Sequence, residues 1–382
     1  MPEALRFRAV LARGGRQAVR PVPIGRDDLA LLQYTGGTTG QAKGAMLSHG
    51  NLLANLAQAG AWCRAKLSPE GEFIITALPL YHIFSLTANC LLILRVGGTN
   101  LLIADPRDIP GLVRDLTRYP WTVITGVNTL FNALLHDEKF RKLDFSRLHV
   151  ALGGGMAVQR GVAERWQALT GVPIVEAYGL TEASPAVTIN PLDLPAFNGS
   201  IGLPLPSTGI SIRDDEGREV AEGAAGEICV RGPQVMRGYY RRPVETAEAM
   251  TPDGYLRTGD IGLVDGLGYL RLIDRKKDTI LVSGFNVYPN EVEDVIAGLP
   301  GVREVAAIGV PDEHSGEAVK VLIVRDDPVL TVQAVKMHCR ANLTGYKLPK
   351  TVEFRSELPK NAVGKILRRA LRQEVVQGES EA

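Results

Sequence analysis

The chain has 382 residues, enough for two or more domains around a sizeable core. Its 43 Lys and Arg against 42 Asp and Glu leave a formal net charge of +1, so bulk attraction to nucleic acid or to an acidic surface is excluded as a driving force. Cys63, Cys90, Cys229 and Cys339 are scattered, with neither a CxxC pair nor a metal spacing, and read as the reduced thiols of a cytoplasmic protein.

Residues 1–26 carry six arginines and one acid, Glu3, a transit-peptide-like balance without the Ser content or the apolar stretch of a leader. From Asp28 to about Asn198 apolar strand-like runs (73–78, 100–104, 122–124, 148–152, 174–175) alternate with helical patterns (111–118, 129–136, 159–169). Such alternation predicts an α/β sheet with covering helices. The nearly apolar run 83–94 contains Asn89 and is too short to span a bilayer. Near Ser200 the texture changes to short β-rich runs (209–213, 226–231, 269–273) separated by turn signals at 215–217, 253–254 and 265–266, which predicts a small antiparallel barrel or sheet. Beyond the charged segment Asp274-Arg275-Lys276-Lys277-Asp278, strands at 279–282, 305–310 and 319–324 and helices at 289–297 and 332–343 predict a compact α+β domain. The expected divisions are 1–27, 28–199, 200–274 and 275–382.

The most informative stretch is Tyr34-Thr35-Gly36-Gly37-Thr38-Thr39-Gly40-Gln41-Ala42-Lys43-Gly44. Glycines let a backbone turn tightly and approach a ligand, and freed N–H groups, Thr hydroxyls and the Lys43 charge together suit a phosphate. A Walker A loop, GxxxxGK followed by Ser or Thr, is not present. In isolation the stretch also reads as a flexible connection.

Five further stretches follow in order: LPLYHIF (78–84), EAYGLTE (176–182), GEICVRGP (226–233), YLRTGD (255–260) running on to Asp274-Arg275, and PKNAVGKILRR (359–369). With the Gly/Thr loop they resemble the signatures of the adenylate-forming enzymes, the superfamily of acyl-CoA synthetases, adenylation domains and luciferases. LQYTGGTTG, ALPLYHIFSLT, GGGMAV and DRKKDTILVSGFNVYPNEVE are most similar to bacterial long-chain fatty-acid–CoA ligases. The resemblance implies a large multi-layer α/β domain, a small β-rich subdomain and a mobile C-terminal α+β domain that pivots at 274–278, with Lys277 as the hinge residue. It implies a two-step reaction: a fatty acid carboxylate attacks the α-phosphate of ATP to give acyl-AMP and pyrophosphate, and the thiol of coenzyme A then displaces AMP. Neither step needs an enzyme nucleophile, so catalysis rests on positioning and charge stabilisation.

Roles follow the motifs position by position. Thr35, Gly36, Gly37, Thr38, Thr39, Gly40 and Lys43 are expected at the β- and γ-phosphates. Tyr178 is expected to stack on adenine with Gly179 permitting close approach, Thr181 to meet the α-phosphate, and Glu182 to bind Mg²⁺, a hard cation suited to carboxylate and phosphate oxygens. Asp260 and Arg275 are expected at the ribose, Lys365 at the carboxylate and α-phosphate, and Gly284 on the coenzyme A path. His82 resembles a residue flanking the acyl carboxylate, and a satisfied core histidine fits equally. Residues 127–135 and 153–156, including Gly154, are expected to line the acyl site. The residues alone leave plainer readings open: Tyr178 as core, Asp260 as a turn residue, Glu182 and Lys365 as solvated surface. Arg368, Arg369 and Arg372 suit coenzyme A phosphates, peripheral contact with the inner membrane surface, or a solvated helix face.

The resemblance also implies a long segment ahead of the phosphate loop, whereas about thirty residues precede Tyr34 here. Residues 1–27 accordingly read as a remnant, and the large domain as incomplete. Lost strands would expose sheet edges and apolar faces, favouring instability, inactivity or a homodimer. Two alternatives therefore stand beside the fatty-acid reading: an adenylating ligase for a medium-chain or aryl acid, and a non-catalytic nucleotide- or acyl-binding fragment.

Overall fold

Seven strands make the central sheet of the computed structural model, which describes residues 5–35, 42–68, 71–361 and 363–380, the last five by backbone alone. In spatial order they are Thr99–Leu102, Phe73–Thr76, Val123–Gly126, Val150–Gly153, Ile174–Gly179, Ala186–Ile189 and Leu203–Pro204. The first five run parallel and the last two join antiparallel. The inner parallel strands are nearly continuous apolar runs, as burial on both faces requires. Helices Ile109–Arg118, Asn128–His136 and Arg160–Thr170 cover the sheet. The first begins where the Asp108 side chain accepts from Gly111 N at 3.0 Å and Pro110 supplies a preset φ. Their apolar faces meet around fully buried Trp166, whose ring lies 4.9 Å from Phe131 and 5.5 Å from Phe140. The predicted strands and helices of this region stand within a few residues of their expected places. The apolar run at 83–94 resolves into a π-helix, Ser85–Leu91, continued by Leu92–Arg95.

The Gly/Thr loop joins two antiparallel strands, Leu29–Thr35 and Lys43–Ser48, in which Thr35 pairs with Lys43. Positions 36–41 lie outside the described residues. Helix His49–Cys63 follows directly and is closed by a reciprocal cap between Ser48 and Asn51, worth about 1 kcal/mol. The Asn51 amide also donates to Pro233 O and Val235 O. Met46 N donates to Gly238 O, and Tyr240 N to Gly44 O. The hairpin, expected to group with the α/β segment, is therefore tied by its backbone to the 233–240 stretch.

The β-rich region is a four-stranded antiparallel sheet in the order Gly209–Arg213, Gly226–Arg231, Leu256–Val264, Leu270–Arg275. The strand at 256–264 lacks alternation in sequence, with Thr258, Gly259 and Asp260 in succession. The C-terminal region is an α+β unit. Long strands Val302–Asp312 and Gly316–Arg325 pair over ten positions, Thr351–Arg355 adds in parallel, and helices Pro289–Ala297 and Val332–Asn342 pack on Val292, Ile296, Val335 and Cys339. At the other end of the chain, helix Phe7–Gly14 has no buried residue. Among the described residues no helix is long and apolar enough to cross a membrane.

Candidate active site

A cavity of about 890 Å³ opens at the carboxyl ends of the parallel strands, where open α/β sheets bind ligands. Thr35 and Lys43 reach it from the hairpin, His82 and Gly154 from the sheet region, Tyr178 through Glu182 from the EAYGLTE stretch, Asp260 and Arg275 from the β-rich sheet, and Lys365 from the C-terminal domain. Gly36, Gly37, Thr38, Thr39 and Gly40 fall outside the described residues. Gly284 is not among the residues that line the cavity; it turns the hairpin Ile280–Val282/Phe285–Val287 at φ +84°.

Asp260 and Arg275 are direct cross-strand partners. The guanidinium Nε lies 3.1 Å from Asp260 Oδ1, and the Tyr178 hydroxyl donates to Asp260 Oδ2 at 2.7 Å. The Thr258 hydroxyl donates to Ile228 O and accepts from Asp260 N. Asp260 is 4% exposed, so these partners offset the desolvation of a buried carboxylate. Burial and the Asp260 charge push the Tyr178 phenol well above its ordinary value, keeping it a hydrogen-bond donor. Tyr178 is therefore both cavity wall and core, packed with Ala183, Val187 and Ile201. At Gly179 a Cβ would stand 2.1 Å from Pro185 O. Glycine is required there by the chain's own packing, whatever ligand lies beyond it.

Glu182 is the middle residue of the short 3-10 turn Thr181–Ala183. Tyr239 donates to its Oε1 at 2.7 Å, and Lys43 Nζ sits 5.2 Å from the centre of the Tyr239 ring, a cation–π distance. Burial and the neighbouring Glu182 charge push the Tyr239 phenol up. Among the described residues no group of three His, Cys, Asp or Glu side chains could cage a metal.

Lys365 stands on a tight loop organised by Asn361, whose Oδ1 accepts from Val363 N at 3.1 Å and Lys365 N at 2.9 Å. Gly364 supplies φ +82° at the turn. Burial and the Arg275 charge lower the Lys365 ammonium to about 8. His82 lines the same cavity, and burial followed by the Lys365 charge lowers its imidazole. Its Nδ1 accepts from Phe84 N at 3.3 Å, which assigns the ring proton to Nε2.

The apolar part of the cavity differs from expectation. Val127, Gly154 and Gly155 line it, but helix Asn128–His136 does not. Its Leu130, Phe131, Leu134 and Leu135 pack into the core, because an i, i+4 apolar stripe is drawn onto the sheet. The wall is supplied by Asn55, Ala59 and Cys63 of helix His49–Cys63 and by Thr87, Ala88 and Leu92 around the π-helix, a helix form frequent at functional sites.

The basic cluster also differs. Arg368 binds Glu293 at 2.7 Å and Asn290 Oδ1 at 2.8 Å, and Arg372 binds Asp278 at 2.9 Å. Both arginines thus fasten the last helix to Asp278 and to helix Pro289–Ala297, leaving Arg369 as the exposed member of the three. Asp274, buried beside them, accepts from Asn290 N at 2.7 Å, and burial raises its carboxyl to about 6.

Residues 2–240 match the family described as AMP-binding enzyme, and residues 291–365 its C-terminal domain. The chain belongs to the AMP-binding enzyme family. It is 60% identical over 375 residues to long-chain-fatty-acid–CoA ligase of Escherichia coli O157:H7, covering 98% of this chain and 66% of that protein. It is 38% identical over 353 residues to feruloyl-CoA synthase of an Amycolatopsis species, covering 92% of this chain and 71% of that protein. Among solved structures, ATP-bound MatB from Rhodopseudomonas palustris superposes with a TM-score of 0.85 at 35% identity, over 94% of this chain and 70% of that one. The chain thus spans 66% of the length of the ligase it matches. For this AMP-binding family member, sequence reasoning missed Tyr239, whose partner Glu182 lies 57 residues away; Gly238-Tyr239-Tyr240 carries no local chemical signature, and only the fold brings the pair together.

Proposed function

We propose that this chain activates a long-chain fatty acid with ATP and transfers the acyl group to coenzyme A. The observation that carries the reading is a single cavity combining the Tyr178–Asp260–Arg275 cluster, Glu182 and Lys365 with an apolar wall of Ala59, Ala88 and Leu92. Asp260 and Arg275 hold the ribose hydroxyls, Tyr178 supports the adenine, and Thr35 and Lys43 flank the β- and γ-phosphates. The fatty acid carboxylate attacks the α-phosphorus, the new O–P bond forms, and the bond to pyrophosphate breaks. Lys365 stabilises the negative charge shared by the carboxylate and α-phosphate oxygens, and the Nε2–H of neutral His82 orients the carboxylate. In the second step the coenzyme A thiolate attacks the acyl carbonyl and AMP leaves, after Lys365 withdraws with its domain about the 274–278 hinge.

Glu182 fits Mg²⁺. Among the described residues Tyr239 binds one of its oxygens, and a single carboxylate completed by phosphate oxygens is a usual Mg²⁺ arrangement. Bound there, the ion would neutralise phosphate charge. The committed state of Arg368 and Arg372 weakens the basic-cluster argument for membrane contact.

The feruloyl-CoA synthase relative supports a second reading, an aryl acid substrate. Incubation with ATP, Mg²⁺, coenzyme A and a mixture of C8 to C18 acids and ferulate, read by mass spectrometry, separates the two. Dominant C14–C18 acyl-CoA supports the proposal, and dominant feruloyl-CoA or octanoyl-CoA overturns it.

A further inference from the structure

Helix Asn128–His136 has a second face. Opposite Leu130, Phe131 and Leu134, the polar residues Thr129, Asn132 and His136 follow one another at i, i+3 and i+7, one stripe of a helix. All three meet the C-terminal domain. Thr129 Oγ1 donates to Gly364 O at 3.1 Å, Asn132 Nδ2 donates to Arg303 O at 2.9 Å, and His136 Nε2 lies 3.3 Å from Asp326 Oδ2. Arg303 pairs with Asp326, so the second and third contacts grip one linked pair. On the helix side Arg165 donates to Asn132 Oδ1 at 2.9 Å, which turns the amide Nδ2 toward Arg303.

The first contact bears on the site. Gly364 immediately precedes Lys365, and a Cβ at Gly364 would stand 2.9 Å from Thr129 Oγ1. The loop carrying Lys365 therefore rests on the Thr129 hydroxyl. Among the described residues no buried apolar cluster spans both sides: the large-domain core and the two C-terminal clusters share no member. Polar contacts without a shared core suit a surface that docks and releases.

We propose that this stripe is a docking rail that holds the C-terminal domain with Lys365 in the cavity, and that Thr129, aided by Asn132 and His136, is a positioning residue for adenylation. The docking stands on the contacts alone; its effect on adenylation rests on the ligase reading above. The test uses the whole chain with the Thr129→Val/His136→Gln double variant, the single Thr129→Val and the conservative Thr129→Ser. Tryptic cleavage within Arg275-Lys276-Lys277 reads release of the domain. Loss of a hydrogen bond of ordinary strength predicts about fivefold faster cleavage for Thr129→Val and more for the double variant, with Thr129→Ser near the parent rate. If the double variant does not fold, Thr129→Val decides, being nearly isosteric. Unchanged cleavage in a variant that keeps the parent melting temperature overturns the rail. In parallel, palmitate-dependent ATP–pyrophosphate exchange is expected to fall by a similar factor while conversion of supplied palmitoyl-AMP to palmitoyl-CoA holds. Equal loss of both half-reactions overturns the positioning role. A parent chain without exchange contradicts the ligase reading and the assigned role in adenylation, and leaves the cleavage result to decide docking.

Discussion

The Tyr178 hydroxyl donates to Asp260 Oδ2 at 2.7 Å, while Arg275 Nε holds the other carboxylate oxygen at 3.1 Å. A tyrosine from the seven-stranded sheet and an aspartate from the four-stranded sheet are thereby locked together, and the seam between the two sheets forms one wall of the cavity. The two contacts fix both oxygens of the carboxylate.

Tyr178→Phe keeps the ring and removes the lock. A hydrogen bond to a charged acceptor is worth about 1.5–3 kcal/mol, so KM for ATP is expected to rise roughly tenfold or more, with a smaller change in kcat. An unchanged KM in steady-state kinetics would show that Asp260 does not need Tyr178.

Tyr239→Phe releases Glu182 Oε1 and leaves the Lys43–ring contact in place. Freed from its donor, the carboxylate is less well oriented, and the Mg²⁺ concentration for half-maximal exchange is expected to rise by about fivefold or more. Magnesium titration of the variant beside the parent checks this.

Glu176 is buried, and burial followed by the nearby Asp294 charge raises its carboxyl to about 8 despite a hydrogen bond from Val158 N. Between the ordinary value of 4.5 and about 8 the folded chain binds this proton and the unfolded chain does not. The contribution of Glu176 to stability therefore falls as pH rises across that window. Glu176→Gln keeps an acceptor for Val158 N and removes the titration. Its melting temperature is expected to decline less than the parent's between pH 6 and pH 8.5; parallel declines would contradict the assignment.

Much of this was legible in the sequence because the patterns were local. The run 148–152 is apolar except for His149 and contains most of the strand Val150–Gly153, and the leucines of 128–136 announce a helix packed on a sheet. The ordered motifs marked Tyr178, Asp260, Arg275 and Lys365, which the fold gathers into one cavity. What the sequence concealed depends on distant partners. Arg368 and Arg372 look like a solvated basic face until Glu293 and Asp278 arrive from elsewhere in the chain. The polar half of helix Asn128–His136 reads as solvent-facing, yet the C-terminal domain covers it. Helix Asn128–His136, leucine-rich in sequence, is spent on the core, whereas small residues such as Ala59 and Ala88 line the cavity.

Lys365 carries its charge below about 8, held there first by burial and then by Arg275. Adenylation that requires the ammonium is expected to lose kcat/KM as pH rises through that value in the free enzyme. Lys365→Arg keeps the charge throughout; it is expected to be slower, since a guanidinium has a different shape, but to lack the alkaline fall. An identical pH profile for the two would place the titration on another group.

The central claim is that this chain forms an acyl-adenylate with Lys365 as a stabilising group, and ATP–pyrophosphate exchange tests it most directly. Purified chain is incubated with labelled pyrophosphate, ATP and Mg²⁺, with and without palmitate, beside Lys365→Ala. Palmitate-dependent exchange that falls at least a hundredfold in Lys365→Ala is the predicted result, the loss of a charge-stabilising group at the reacting centre. A folded chain with no palmitate-dependent exchange, or with exchange indifferent to Lys365→Ala, would contradict it.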